Sequence, residues 1–336
     1  MAVARGQAPS HSGDPVVFGT SGTYPRAIRL ADDSLLGIYT ENSGSNHTLI
    51  TVHSDDNGQS WEPWGQVDTR EAATSDLDNG YVHQLPTGEV LATFRNHDKS
   101  GNDWTYYRIT VCISTDGGAS WTYHSTADER AATPGTANGL WEPYLQNALD
   151  GSLQLYYSRE NAGDDQDSLL RVSTNRGVDW TDPETISGED VVARDGMLGV
   201  ARTGPNSQEK LAVFESGVNG LFTVHTVRSP DDGASWPVDS RQLVYSAGSS
   251  SAGAPQIIRV GGRLVASFGT NEDGGVWPQG AMKVVVSSNG GQSWADKTTI
   301  HDNPAMWSGL LELDDNSFLA LYESGNTAYA QKMVFA

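Results

Sequence analysis

The sequence predicts an all-β protein, a six-bladed β-propeller, on three observations. A turn motif, Ser-x-Asp/Asn-x-Gly-x-x-Trp, recurs five times at near-constant spacing. An apolar strand, turn, strand pattern recurs six times, out of phase with the first. Gly and Pro together supply 51 of the 336 residues, too many interruptions for a helical bundle or a long coiled coil.

The turn motif has five copies: Ser54-Asp56-Gly58-Trp61, Ser114-Asp116-Gly118-Trp121, Ser173-Asn175-Gly177-Trp180, Ser229-Asp231-Gly233-Trp236 and Ser287-Asn289-Gly291-Trp294. The tryptophans are separated by 60, 59, 56 and 58 residues. Each copy reads as a β-hairpin turn. The short Asp or Asn side chain bonds back to the turn's own backbone, and Gly supplies positive φ. The Trp then covers the hairpin and packs between neighbouring sheets. A β-rich stretch precedes each copy, such as Leu49-Ile50-Thr51-Val52-His53.

The second repeat covers residues 27–39, 81–94, 143–157, 197–214, 255–268 and 309–322, with polar or Gly-containing turns inside each. Six repeats over this length give 56 residues per unit, room for about four strands, which is the arithmetic of a propeller. The sixth turn motif is missing because the chain after Tyr322 holds only one further strand, around 328–335. The segment Pro15–Phe18 is then expected to supply the outermost strand of the last blade and close the ring, leaving no open edge. The domain organisation that follows is a flexible segment over residues 1–14 and one propeller domain over 15–336.

Charge and cysteine usage narrow the partners. With 21 Lys+Arg against 42 Asp+Glu, the net charge of −21 argues against nucleic acid and against anionic membranes. The single Cys112 rules out an intrachain disulfide and zinc-type Cys clusters. No apolar run is long enough to span a bilayer. The first fourteen residues lack the apolar stretch of a secretory signal. A secreted protein whose signal is absent from this chain, acting as a monomer, is the expectation, with a cytoplasmic location left open.

In a propeller blade the start of the first strand and the end of the second reach one face beside the axis. The starts of strand one carry Tyr24-Pro25-Arg26, Asp78-Asn79, Trp141-Glu142-Pro143-Tyr144, Arg194-Asp195, Gly253-Ala254-Pro255-Gln256 and Met306-Trp307-Ser308. The ends of strand two carry Glu41, Arg95, Arg159-Glu160, Glu215-Ser216, Glu272 and Glu323. Aromatic rings ringed by hydrogen-bonding groups suit sugars, and two carboxylates across such a pocket are the minimum for glycoside hydrolysis. A ring of paired, solvated Glu and Arg in a non-catalytic glycan-binding propeller fits the same composition.

At these residues the sequence resembles known families. The five turn motifs look like the Asp boxes of sialidase-type propellers, a feature of fold rather than activity. The run Gly22-Thr23-Tyr24-Pro25-Arg26-Ala27, followed by Leu30 and Ser34-Leu35-Leu36-Gly37, resembles the opening of the exo-α-1,5-L-arabinanases of glycoside hydrolase family 93. Trp141-Glu142-Pro143-Tyr144 and Val213-Phe214-Glu215-Ser216 are similar to that family's two catalytic glutamate segments. The resemblance implies a retaining enzyme that releases arabinobiose from the non-reducing end of linear arabinan, with Glu142 and Glu215 as the acid/base and nucleophile pair; Glu142 as acid/base and Glu215 as nucleophile is the order expected here, and the resemblance does not fix it.

Sialidase chemistry on another glycan is the nearest competitor. It needs three arginines and a tyrosine nucleophile, whereas the chain reads Gly253-Ala254-Pro255-Gln256 and Met306-Trp307-Ser308 at two of those places. Around the glutamates, Tyr24, Arg26, Asp78, Asn79, Trp141 and Trp307 are candidates for sugar contact. Trp104 is a candidate stacking platform, and Asp195 a candidate electrostatic support. The eight histidines lack metal-site spacing, so no metal or other cofactor is expected.

Overall fold

The computed structural model describes residues 8–336, and almost all of its regular structure is strand; a 3₁₀ turn at Val238–Ser240 is the one helical element among them. The strands group into six consecutive antiparallel units. The first unit runs Gly22–Arg29, Leu35–Ser43, Asn46–Ser54 and Glu62–Glu71, each strand pairing with the next. The remaining units begin at Ser75–Gln84, Leu140–Asn147, Arg194–Arg202 and Ala252–Val260, and at the second half of the long strand Ala295–Asp314. That last strand serves two units, pairing with Gly280–Ser287 through its first half and with Ser317–Ser324 through its second.

The two ends of the chain meet. Val16–Thr20 pairs antiparallel with Thr327–Val334, as the outermost strand of the sixth unit. Ser10–His11 pairs with Val334 and Met333 on the same strand. Residues 1–7 of the segment expected to be flexible lie outside the described residues.

Apolar packing follows the same cyclic order. Each of six buried clusters combines residues of two successive units, and one joins the sixth unit to the first through Phe18, Leu35, Val52, Leu319 and Leu321. The turn motifs explain how. In each copy the Gly N–H donates to the Ser hydroxyl four residues earlier, at 2.8–2.9 Å, and that hydroxyl in turn bonds the Asp or Asn oxygen. All five glycines have positive φ, between 79° and 94°. The backbone this exposes lies against the preceding unit: a Cβ at Gly118 would meet Leu36, and one at Gly291 would meet Leu211. The motif's Trp covers the same seam, as Trp121 does for the first two units and Trp180 for the second and third.

One feature recurs in all six units and is invisible in the repeats. Each first strand slips register against its second strand at the same place. One residue there has left-handed backbone: Tyr24, Asn79, Glu142, Met197, Ala254 and Trp307, with φ between 47° and 58°. Such bulges bend a strand and re-aim its side chains, and non-glycine residues hold this conformation only where the surroundings enforce it. Four of the six, Tyr24, Met197, Ala254 and Trp307, pack together as one small cluster. The bulges therefore bring distant units into contact at one point.

Candidate active site

Glu142 is one of these left-handed residues, and Glu215 stands near the end of Lys210–Val218, opposite Gly196 of the neighbouring strand. Glu142 is half-buried; its Oε2 is shielded from water and has no hydrogen-bond partner. Burial pushes its carboxyl up to about 8, the charge of Glu215 adds to the rise, and the Arg95 guanidinium opposes it. Burial also raises Glu215, to about 7, against the pull of the Ala254 N–H and of Arg194. The charge of Glu215 thus reaches Glu142, although 73 positions separate them in the chain.

The support under each is different. Ala254 N–H donates to Glu215 Oε2 at 2.7 Å. The adjacent Gly253 has no side chain for a reason: a Cβ there would lie 2.4 Å from Glu215 Oε2 and 2.9 Å from the Trp277 indole. Arg194, which faces Glu215, is itself held by Glu160 Oε1 at 2.8 Å. Around Glu142 stand an arginine and aromatic rings. Arg95 donates to Asn79 Oδ1 at 2.8 Å and Asp78 Oδ2 at 3.3 Å, and pairs with Asp76 at 2.9 Å. Its guanidinium lies 5.0 Å over the Trp141 ring.

The remaining sequence candidates fall into three groups. Tyr24, Asp78, Asn79, Trp104 and Trp141 gather on the Glu142 side. The Tyr24 phenol is pushed up to about 12, chiefly by burial, with the charges of Glu142 and Asp78 contributing and Arg26 opposing. Asp78 also accepts from Thr40 Oγ1 at 2.6 Å. Trp104 meets Trp141 edge to face at 6.0 Å, and both pack on His97 and Tyr107. His97 is fully buried and neutral, its pKa lowered to about 3 first by burial. Its Nδ1 accepts from Arg108 N–H, so Nε2 donates to the Leu140 carbonyl at 2.7 Å, steadying the strand that carries Glu142.

Arg26 and Trp307 form a second group where the first and sixth units meet. Arg26 is buried, lies 3.8 Å over the Tyr24 ring, and donates to the carbonyls of Pro25 and Trp307. Among the described residues it makes no ion pair with a carboxylate and its buried Nη2 has no partner; it ties the first unit to the sixth. Trp307 packs beside Tyr24 with ring centroids 6.2 Å apart. Asp195 stands alone in the third group. It is fully buried and paired with Arg241, which also bonds Ser187 and Ser216. Asp195 thus ties together the strands of the fourth unit through Arg241.

Sequence reasoning missed two features. Arg95 was visible only as one residue in a polar run; its bonds to three acidic or amide side chains of the neighbouring strand make it the organiser of the Glu142 side. Trp277 and Phe222 gave no signal at all, since they belong to different units, Phe222 to the strand Leu221–Ser229 and Trp277 to the loop before Gly280–Ser287. Their rings stack at 5.6 Å with 24° between planes, beside Glu215. A cavity of about 700 Å³ lies elsewhere, lined by the later halves of all six first strands, including His83, Gln146 and Arg202.

No family model matches the chain, and no curated protein matches it in sequence. Solved structures do match its fold. A family 93 α-L-arabinofuranosidase of Fusarium graminearum in complex with arabinobiose superposes with a TM-score of 0.76 at 20% identity, covering 97% of this chain and 98% of that one. A Penicillium chrysogenum α-L-arabinanase complexed with arabinobiose gives 0.74 at 18% identity over the same shares. A Hadza microbial sialidase gives 0.62 at 15% identity, over 92% of this chain and 65% of that one. At these identities the likeness is one of fold.

Proposed function

We propose that the six units are the blades of a closed propeller and that the chain is a retaining glycoside hydrolase acting on α-1,5-linked L-arabinan from the non-reducing end, releasing arabinobiose. The observation that carries this reading is the juxtaposition of Glu142 and Glu215, both with raised carboxyls, in a site walled by aromatic rings. The arabinobiose complexes of fold neighbours support the choice of sugar. The absence of a sialidase-type tyrosine at Trp307 turns the reading away from sialic acid.

The roles follow from the environments. Glu142 lacks a hydrogen bond to its shielded oxygen and has the higher pKa, so it keeps its proton near neutral pH and gives it to the departing glycosidic oxygen. Glu215 has an N–H donor and an arginine charge favouring its anion, so it attacks the anomeric carbon as the C–O bond to the leaving group breaks. Glu142, now ionised, takes a proton from water, whose oxygen displaces Glu215 from the anomeric carbon. Retention needs the two carboxyl groups roughly 5–5.5 Å apart in the working complex.

Digestion of linear arabinan with product sizing and proton NMR of the first-formed anomer tests this reading. Arabinobiose with retained configuration supports it. Binding without cleavage would make the protein a glycan-binding propeller instead, and an inverted first product would remove the nucleophile role from Glu215.

A further inference from the structure

The Phe222–Trp277 pair carries no role in the hydrolytic scheme above. The two rings belong to different units: Phe222 to the hairpin after Glu215, Trp277 to the loop between Arg263–Thr270 and Gly280–Ser287. Each is seated on a glycine. A Cβ at Gly217 would lie 2.6 Å from the Phe222 ring, and one at Gly253 would lie 2.9 Å from the Trp277 indole. Both rings are half-buried. The rings stack on one another, and the Trp277 indole and Glu215 Oε2 flank the same point above Gly253.

The loop bearing Trp277 is built rather than loose. Ser251 N–H donates to Asn271 Oδ1 at 2.8 Å, Gly274 N–H to the Asn271 carbonyl, and Gln279 N–H to the Val276 carbonyl. The hairpin is tied to the same place, since Phe222 N–H donates to Ser251 Oγ at 3.2 Å. Ser251 thus holds both rings' supports in one register. Next to Trp277 in the chain Val276 is 82% exposed, and Val218, at the end of the strand that carries Glu215, is 50% exposed. An apolar wall held rigidly beside a carboxylate, and open on one side, fits the face of a sugar ring.

We propose that Phe222 and Trp277 form the wall that holds the sugar on the glycone side of the scissile bond, while Trp104 and Trp141 line the leaving-group side. This assignment rests on the hydrolase reading. In a double displacement the nucleophile and the acid stand on opposite sides of the reacting ring. The wall beside Glu215 therefore faces the sugar that becomes bound to the enzyme, and the wall beside Glu142 faces the part that departs.

Kinetics on two substrates separate the walls: linear arabino-oligosaccharide, and an aryl glycoside bearing the sugar unit that the enzyme releases. Trp277→Ala is expected to raise KM at least tenfold on both substrates and to weaken inhibition by the released sugar to a similar extent, with Trp277→Phe recovering most of the loss. Trp104→Ala is expected to raise KM on the oligosaccharide while leaving the aryl glycoside within about twofold, since an activated leaving group needs no sugar platform. Unchanged KM and product inhibition in Trp277→Ala, with wild-type enzyme cleaving both substrates, would overturn the glycone assignment alone. A wild-type enzyme that cleaves neither substrate removes the hydrolase reading itself, and this proposal with it.

Discussion

The two glutamates stand against unlike walls. Glu142 leans on rings and a single guanidinium, with one oxygen buried and unbonded. Glu215 has a backbone N–H aimed at it from the neighbouring unit and an arginine nearby, over a glycine that clears its floor. Both carboxyls are raised by burial, and each has a donor and an arginine opposing the rise, Ser158 and Arg95 for Glu142, the Ala254 N–H and Arg194 for Glu215; the charge of Glu215 then lifts Glu142 further. The proposed roles rest on this difference, with Glu142 the one that keeps its proton to the higher pH.

The sharpest break of this contrast is removal of either carboxylate. Glu142→Gln and Glu215→Gln should each lower kcat/KM on arabinan by more than about a hundredfold, since each loses a group that changes charge in the transition state. The two should then diverge. Azide in place of water should restore cleavage of an activated aryl glycoside with retention when Glu142 is replaced by Ala, and with inversion when Glu215 is. An identical stereochemical outcome in both variants would erase the distinction between the walls.

A smaller perturbation leaves both carboxyls in place. Gly253→Ala puts a methyl group 2.4 Å from Glu215 Oε2 and close to the Trp277 indole, so the carboxylate must swing off its Ala254 N–H donor. A misplacement of this order is worth about a hundredfold in rate at most, and we expect a drop in kcat of ~10- to 100-fold with the fold intact by circular dichroism. Ala at Gly269, where the only heavy atom within 4 Å is a carbonyl at 3.9 Å, should leave kcat nearly unchanged and serves as the control.

The pH profile probes the coupling itself. On the proposed mechanism the active form has Glu215 ionised and Glu142 protonated, so activity should peak between about 7 and 8, with both limbs belonging to the pair. In Glu215→Gln the like charge is gone, and the residual activity should show its basic limb shifted to lower pH. A basic limb that stays in place would mean that burial alone raises Glu142.

How much of this was legible in the sequence depends on whether a residue's task is local. The turn motif's Ser, Asp and Gly interact within four residues, so periodicity revealed both their place and their mechanics, down to the positive φ of each glycine. The strand pairing of the two chain ends was legible by strand counting. Glu142 and Glu215 were found by their positions at strand ends and by family resemblance. The left-handed bulge at six first strands was not legible, because Tyr, Asn, Glu, Met, Ala and Trp share no local preference for it; the packing of neighbouring units imposes it. Asp195 has a partner that its place in the sequence does not announce. It occupies a mouth position in sequence, but Arg241, 46 residues away, holds it inside its own unit. Phe222 and Trp277 meet only through the third dimension.

The finest test concerns stability, where the contrast between the walls should persist with no substrate present. A carboxyl raised in the folded state costs nothing at pH values below its unfolded value near 4.5, where both states are protonated. Above that value the unfolded chain releases the proton more readily than the folded one. The stability contributed by the protonated carboxyl is therefore lost progressively as pH rises through the folded value, about 8 for Glu142 and about 7 for Glu215. Gln cannot ionise and escapes this loss. The melting temperature of Glu142→Gln relative to wild type should rise between pH 5 and 8 and then level off, by a few degrees at most for a chain of this size. Glu215→Gln should show a smaller gain that levels off nearer pH 7, because its wild-type anion already has the Ala254 N–H to bond. Equal gains in the two variants would mean that this donor does nothing for the charged form, and the acid and nucleophile roles would lose their physical basis.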